Sequence, residues 1–548
     1  MKKILITGTL SLAVAMGGLM ISCGDFLEIE PLNAVVVENY WEKKGDVESV
    51  ISSCYYHMQD KGFSQRVIAW GELRGDNVTD VTNMPNNKEL YDYFVNNITA
   101  DNSWMSWSDF YNVINLCNTV LYYAPEAQAK DGNYSMEELH THEAEVKSIR
   151  ALCYFYLIRT FKKVPLVTQA TIGDDEDFKV GADDEETVLQ QIIGDLEWAK
   201  SYIWDKRYFE DWSSRKGRFN KLSVKALLAD IYLWKGDYER AATYSKEIID
   251  EKKAEYDALQ KSVEEGNYNV DAYMQGELAL YNGYPLLVDA VNDNLHYSYN
   301  QLFETGNGFE SIFELQYDRE VRGNNEGINY FYGPHEAGKA GWVSAADYLV
   351  NQDGGSPFDK VDKRLEENTG YDGTVILNSY PVYKFRALFN NDNTAYMRGT
   401  VENWIVYRLT DVMLMRAEAL AYMGGEENLK EAFALVEAVN MRSCMGRKTL
   451  TYDEETMKTL VLEERQRELM FEGKRWYDLV RMVRHAENPV KAMSTLRNTY
   501  LMRKYTSGGR DAVARMGSLD NLYLPFYQKE IDVNPLLEKD QNPAYIIY

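Results

Sequence analysis

Cysteine is scarce and never closely paired in this chain. Cys23, Cys54, Cys117, Cys153 and Cys444 stand far apart, with no CxxC and no histidine nearby in zinc-ligand register. That spacing excludes the common zinc modules. Also absent are a GxSxG motif, a Walker phosphate loop and a dinucleotide fingerprint, so the usual signs of serine hydrolases and nucleotide-dependent enzymes are missing. Basic residues are in deficit, 59 Lys and Arg against 85 Asp and Glu, a formal net charge of −26. Nucleic acid needs clustered cations and is excluded as a natural partner. His140 and His142 are two apart, point away from each other on a helix, and make a weak metal pair. Cys117 and Cys153 lie among apolar residues and read as buried thiols, and nothing in the spacing assigns a disulfide.

What is present begins with bulk. The 548 residues, 45% apolar and 26% charged, suffice for a large core and for two to four domains on length alone. Aromatics reach 13%, led by 41 Tyr. Such rings pack between helices, stack on the apolar faces of sugars or bury in interfaces.

The N-terminus is the most informative stretch. Lys2 and Lys3 precede an uncharged apolar run from Ile4 to Ser22, and the chain turns acidic after Cys23 in "GLMISCGDFLEIEP". A basic start, an apolar run and a small residue before a cysteine are the marks of a processed signal. Leu19-Met20-Ile21-Ser22-Cys23 resembles a bacterial lipobox, in which the cysteine is diacylated and becomes the mature N-terminus. An unlipidated secretory signal and a membrane-spanning anchor are the alternatives. Lipid attachment at Cys23 would tether a soluble body without spanning the bilayer. Removal of Lys2 and Lys3 takes the net charge from −26 to −28.

Further along, amphipathic helices recur. "WSDFYNVINLCNTVLYYA" places Phe110, Val113, Ile114 and Cys117 on one helical stripe. "HTHEAEVKSIRALCYFYLIRTF" is a second helix, ending before Pro165. "SVKALLADIYLWKGDYERAATYSKEIID" reads as a helical hairpin turning at Gly236-Asp237 and resembles a tetratricopeptide unit, which hides its apolar face by stacking on neighbours. "VYRLTDVMLMRAEALAYMGGEENLKEAFALVEAVNMR" repeats that architecture around Gly424-Gly425. "ETMKTLVLEERQRELMFEGKRWYDLVRMVR" reads as a last long helical run. Between 265 and 400 the helical period fades, Gly, Asn, Asp and Tyr dominate, and "ESIFELQY" looks like an isolated strand. The expectation is a mainly α protein: a signal peptide over 1–22, a tetratricopeptide-like region over 23–264, a loop-rich ligand-binding insert over 265–400, and a helical region over 401–548.

Several stretches, in order, resemble the SusD/RagB family of outer-membrane nutrient-binding lipoproteins. They are "CGDFLEIEP", "EVKSIRALCYFYLIRTFKKVPLV", "FESIFELQY", "VYRLTDVMLMRAEAL", "LEERQRELMFEGKRWYDLVR", "QKEIDVNP" and "QNPAY". Lys162, Asp411, Tyr527 and Ala544 depart from the family pattern, all in scaffold segments. The resemblance implies a non-catalytic, lipid-anchored cell-surface protein that captures an oligosaccharide and caps a SusC-type TonB-dependent transporter. Peptide cargo is one alternative within that role, and a helical glycoside hydrolase is a lesser one. No cofactor is implied, and structural calcium stays open. Asp25, Glu28 and Glu30 resemble a surface-export signal of similar lipoproteins.

Glu464, Glu468 and Glu472 are the hydrolase candidates, since paired carboxylates supply an acid and a base. Each has an arginine three residues away, namely Arg467, Arg465 and Arg475. That spacing favours helix-stabilising ion pairs and ionised carboxylates. The acidic clusters 174–177 and 183–186 read as solvated loop faces. Sugar contacts are expected from aromatics with polar neighbours. "AWGELRGDNVTD" offers Trp70, Arg74, Asp76 and Asn77. "ITADNSWMSW" offers Asn102 and Trp104, with Trp107 fitting the helical stripe as core. "GINYFYGPHEAGKAGW" offers Tyr330, Tyr332 and Trp342, with Tyr281 and Tyr284 as outsiders.

Overall fold

The computed structural model describes residues 40–172, 179–205, 212–266, 276–291, 295–317, 323–333, 341–351, 355–371, 380–385, 387–389, 395–397, 402–444, 449–505 and 508–546. Cys23, the segment before it and the acidic cluster 174–177 lie outside the described residues. Helices α1 (Lys44–Met58), α2 (Lys61–Ile68), α3 (Ser108–Lys130), α4 (Met136–Phe161) and α5 (Glu185–Tyr202) come first. Helix α4 is walled in by α3 and α5, and α1 covers α3. Ser135 accepts a hydrogen bond from Glu138 N and Glu138 answers at Ser135 N, a reciprocal cap that starts α4. The acidic stretch 183–186 opens α5, where Asp184 caps Thr187 N.

The two sequence hairpins are present. Helices α6 (Lys221–Lys235) and α7 (Tyr238–Glu264) turn at Gly236, whose φ of +82° needs no Cβ. Further on, α9 (Leu409–Met423) and α10 (Glu426–Ser443) turn at Gly424-Gly425. Helix α7 packs on α9, and α9 on both α10 and α11 (Glu454–Leu469), so the apolar faces close pair upon pair. Between the two sets runs a short helix α8 (Glu326–Tyr332).

Strands are few and short. They are β1 (Val78–Asp80), β2 (Leu278–Tyr281), β3 (Tyr284–Leu287), β4 (Ser311–Leu315), β5 (Val343–Ala345), β6 (Ala387–Phe389), β7 (Ala395–Met397) and β8 (Trp404–Arg408). They pair antiparallel as β1–β5, β2–β3, β4–β8 and β6–β7.

Two sequence readings are corrected. The helix expected from Val406 begins at Leu409, because Trp404–Arg408 is wholly buried and laddered to β4, the strand read as isolated. The run expected as one helix over 455–484 breaks into α11 and α12 (Arg475–Arg484). Phe471 and Gly473 take φ of +67° and +68° in the break. The turn Ala69–Leu73, which follows α2, docks against it so closely that a Cβ on Gly71 would lie 1.8 Å from Gly473 O. Glu72 reaches across that contact and accepts from Phe471 N at 3.2 Å and Gly473 N at 3.1 Å.

Candidate functional site

Helix α8 starts at Asn325, whose side chain accepts from Ile328 N at 3.2 Å, and it lies against α2 with Gly327 on the Ser64 carbonyl. Residues two apart on a helix face different ways. Tyr332 therefore points inward, donates to Phe471 O at 3.1 Å and stacks parallel to Phe385. Tyr330 points outward and is half-buried. The chain returns through Trp342, whose backbone N donates to Tyr330 O at 3.1 Å, and then pairs as β5 with β1.

The rings of Tyr330 and Trp342 lie 6.1 Å apart, and that of Trp104 lies 5.9 Å from Tyr330. Phe331 backs the group, 5.6 Å from Trp104. Asn87 donates to the Tyr330 hydroxyl at 2.7 Å, which leaves that hydroxyl's proton free to donate. Burial pushes the Tyr330 phenol up, against the Asn87 hydrogen bond. The result is an aromatic patch with amide and hydroxyl groups at its edge, built from two regions far apart in the chain, residues 87–104 and 330–342. Trp342 and Tyr330 present ring surface, and Trp104, 9% exposed, forms the floor.

Of the eleven sequence candidates, Tyr330, Trp342 and Trp104 meet here. Tyr281 and Tyr284 are half-buried on the β2–β3 hairpin, which packs against α7 and α10, away from the patch. For six others burial blocks contact with a ligand, and each has protein partners instead. Trp70, 1% exposed, donates to Trp104 O at 2.9 Å and stacks on Phe110. Asn102 caps Trp104 N at 3.0 Å and donates to Glu89 O at 2.8 Å, so these two residues set the floor. Arg74 lies over Trp476 and binds the Leu522 carbonyl, and Asp76 is gripped by Arg475 and Arg503. Burial favours the neutral Asp76 acid, but those two guanidiniums hold its carboxyl far below the usual range. Asn77 joins Glu72 to Gln466, and its carbonyl takes Ala346 N just beyond β5. Tyr332 is the sixth. These residues frame the site rather than face it.

Sequence reasoning missed Asn87. Its one local sign is a polar Asn86-Asn87 step ahead of a helical turn.

The glutamate triad is fully enclosed. Glu464 pairs with Arg467 as expected from spacing, and also with Arg364. Glu468 passes over Arg465 for Arg364, Arg408 and Arg442, and Glu472 passes over Arg475 for Arg408 and Lys384. Burial alone would raise these carboxyls, yet the surrounding cations hold all three below the ordinary glutamate range, Glu468 most strongly. The adjoining cavity, about 20 Å³, is bordered by Arg364, Arg408, Arg442 and Glu468 and has room for a water, not a sugar. A general acid needs the opposite setting.

His142 is buried against the Tyr134 hydroxyl, and His140 lies against Trp198 and Tyr202. Trp107, Cys54, Cys117, Cys153 and Cys444 are buried. Among the described residues, no three His, Cys, Asp or Glu side chains are arranged to hold a metal ion, and no helix is long and apolar enough to cross a membrane.

The described residues thus form a stacked-hairpin helical scaffold with an aromatic patch on α8 and the turns beside it. Residues 25–233 match a family model described as starch-binding and associating with the outer membrane, and residues 372–545 match that of the SusD family. The chain belongs to the SusD family. A SusD-like protein of Formosa agariphila is 24% identical over 502 residues, 85% of this chain and 89% of its own length. One from Bacteroides ovatus is 22% identical over 99% of this chain and 98% of its own. Among solved structures, a laminarin-binding SusD-like protein superposes with a TM-score of 0.62 at 23% identity, covering 92% of this chain and 100% of its own. NanU of B. fragilis does so at 0.63 and 19%, covering 95% and 100%.

Proposed function

We propose that this protein is a non-catalytic, lipid-anchored surface receptor that captures an oligosaccharide and passes it to a SusC-type TonB-dependent transporter. The observation that carries the binding role is the Tyr330–Trp342 patch over Trp104, with Asn87 at its rim. Two ring faces at this spacing suit successive sugar rings, and the amide and hydroxyl groups suit their hydroxyls. Acylation at Cys23 supplies the anchor, and the family's outer-membrane association is consistent with that address. A glycosidase reading finds no support in Glu464, Glu468 and Glu472, which are ionised, enclosed and matched to cations.

Isothermal titration against a glycan panel tests the binding role. Trp342→Ala is expected to weaken the best ligand at least tenfold, about 1.4 kcal/mol. Glycan binding indifferent to Trp342→Ala and Tyr330→Ala removes the patch from consideration, and binding of peptides alone favours a different cargo. Co-purification of a TonB-dependent channel with the wild type from outer membranes, lost with Cys23→Ala, checks the anchor and the partner together.

A further inference from the structure

Three cysteines from three helices converge in the core of the first helical set. Cys54 lies on α1, Cys117 on α3 and Cys153 on α4, and all three are fully buried. The Cys54 and Cys117 sulfurs are in contact at 3.9 Å, although 63 positions separate them in the chain. Cys153 stands close enough for the field of Cys117 to add to burial in raising its thiol. Cys444 has a different neighbour, the Asp359 carboxylate, at 3.8 Å.

In the structure Cys54 and Cys117 are both thiols. A disulfide holds its sulfurs at about 2.05 Å, so the gap to close from 3.9 Å is about 1.9 Å. Helix α1 already packs on α3, and each sulfur swings about its own Cα–Cβ bond between staggered positions. Folding therefore brings two distant thiols to the edge of bonding distance. In a chain that leaves the cytoplasm, such a pair meets conditions in which disulfides form and persist.

We propose that Cys54 and Cys117 form a disulfide as the exported chain folds, fastening α1 to α3 by a covalent bond. The proposal goes beyond glycan capture and rests on the export reading of Cys23, because its oxidant is an exchangeable disulfide of the extracytoplasmic compartment. One cysteine thiolate attacks the donor disulfide and expels half of it as a thiolate. The second cysteine then attacks the protein sulfur of that mixed disulfide and expels the other half. Two electrons and two protons pass from the cysteines to the donor, which leaves as two thiols. The exchange belongs to the folding chain. Once the core is closed, the contact with Cys117 and burial hold the Cys54 thiol well above its ordinary value, so little thiolate remains to react.

The test uses full-length protein from its own cells, acid-quenched, alkylated with N-ethylmaleimide in urea and mapped by mass spectrometry. A linked Cys54–Cys117 peptide pair is expected, with Cys153 and Cys444 alkylated. Urea unfolding with reductant present throughout should lower the wild-type midpoint by at least about 0.5 M. Cys54→Ala should show no such shift, and Cys153→Ala should keep it. Each variant is compared with itself, with and without reductant, so lost packing does not imitate the result. A bond between Cys117 and Cys153, or a wild-type midpoint indifferent to reductant, overturns the proposal. Protease treatment of intact cells separates it from the export reading. Four free thiols in protein that the protease reaches overturn the cross-link and leave surface export intact. Free thiols in protein reached only after lysis overturn both.

Discussion

Replacing Glu468 by Gln removes one negative charge from an enclosed cluster in which Glu310, Asp362, Glu464, Glu468 and Glu472 face Arg364, Lys384, Arg408, Arg442 and Arg467. The five carboxylates and five cations balance. Glutamine has nearly the same volume, so the effect is electrostatic rather than a cavity. Three guanidiniums share Glu468, and all three lose a partner. Removing one member of a buried pair destabilises by about 3–5 kcal/mol, and the shared position puts the expectation in the upper half of that range. Urea unfolding followed by tryptophan fluorescence reads the change as a lowered midpoint at constant slope. Glu468→Gln with Arg442→Met removes the stranded charge as well and should recover part of the loss. The pH arm has a fixed sign. The folded Glu468 carboxyl titrates below its unfolded value of about 4.5, so its contribution is complete above that pH and is lost as pH falls through the lower folded value. A loss under about 0.5 kcal/mol, within the range of ordinary surface substitutions, would refute the claim that this motif is a structural charge hub.

Glu72 runs the other way. Burial raises its carboxyl to about 7, so the folded state holds the proton longer, and stability falls as pH rises from about 4.5 through 7. That slope, roughly 3 kcal/mol in full, should vanish in Glu72→Gln, read as unfolding free energy at pH 5 and pH 8. Gly71→Ala forces a methyl group onto Gly473 O and should destabilise by at least about 1–3 kcal/mol, measured by thermal unfolding. Asn102→Ala removes the cap on the Trp104 turn, with about 1 kcal/mol lost from the fold and a weaker glycan titration because the floor of the patch is released.

The helices and the hairpin turns were legible in the residues because they rest on local causes. Apolar spacing and glycine at positive φ act within a few positions of chain, whereas the Ser135–Glu138 cap, which starts α4 at Met136 rather than at the expected His140, was not read. The family was legible too, in the order of its motifs. Which polar residues face a ligand was not. Asp76 and Arg74 look like loop residues until Arg475, Arg503 and the 521–522 carbonyls, 399 to 448 positions away, close over them. Glu468 pairs by proximity in space, to Arg364, Arg408 and Arg442, and not with the arginine three residues along its helix. Tyr330 and Tyr332 differ by half a helical turn, and only the docking of α8 on α2 decides which becomes ligand surface and which becomes core. Sequence determined the scaffold because backbone periodicity is a short-range property. Tertiary structure decided the site because exposure is set by whatever distant segment arrives to cover a side chain.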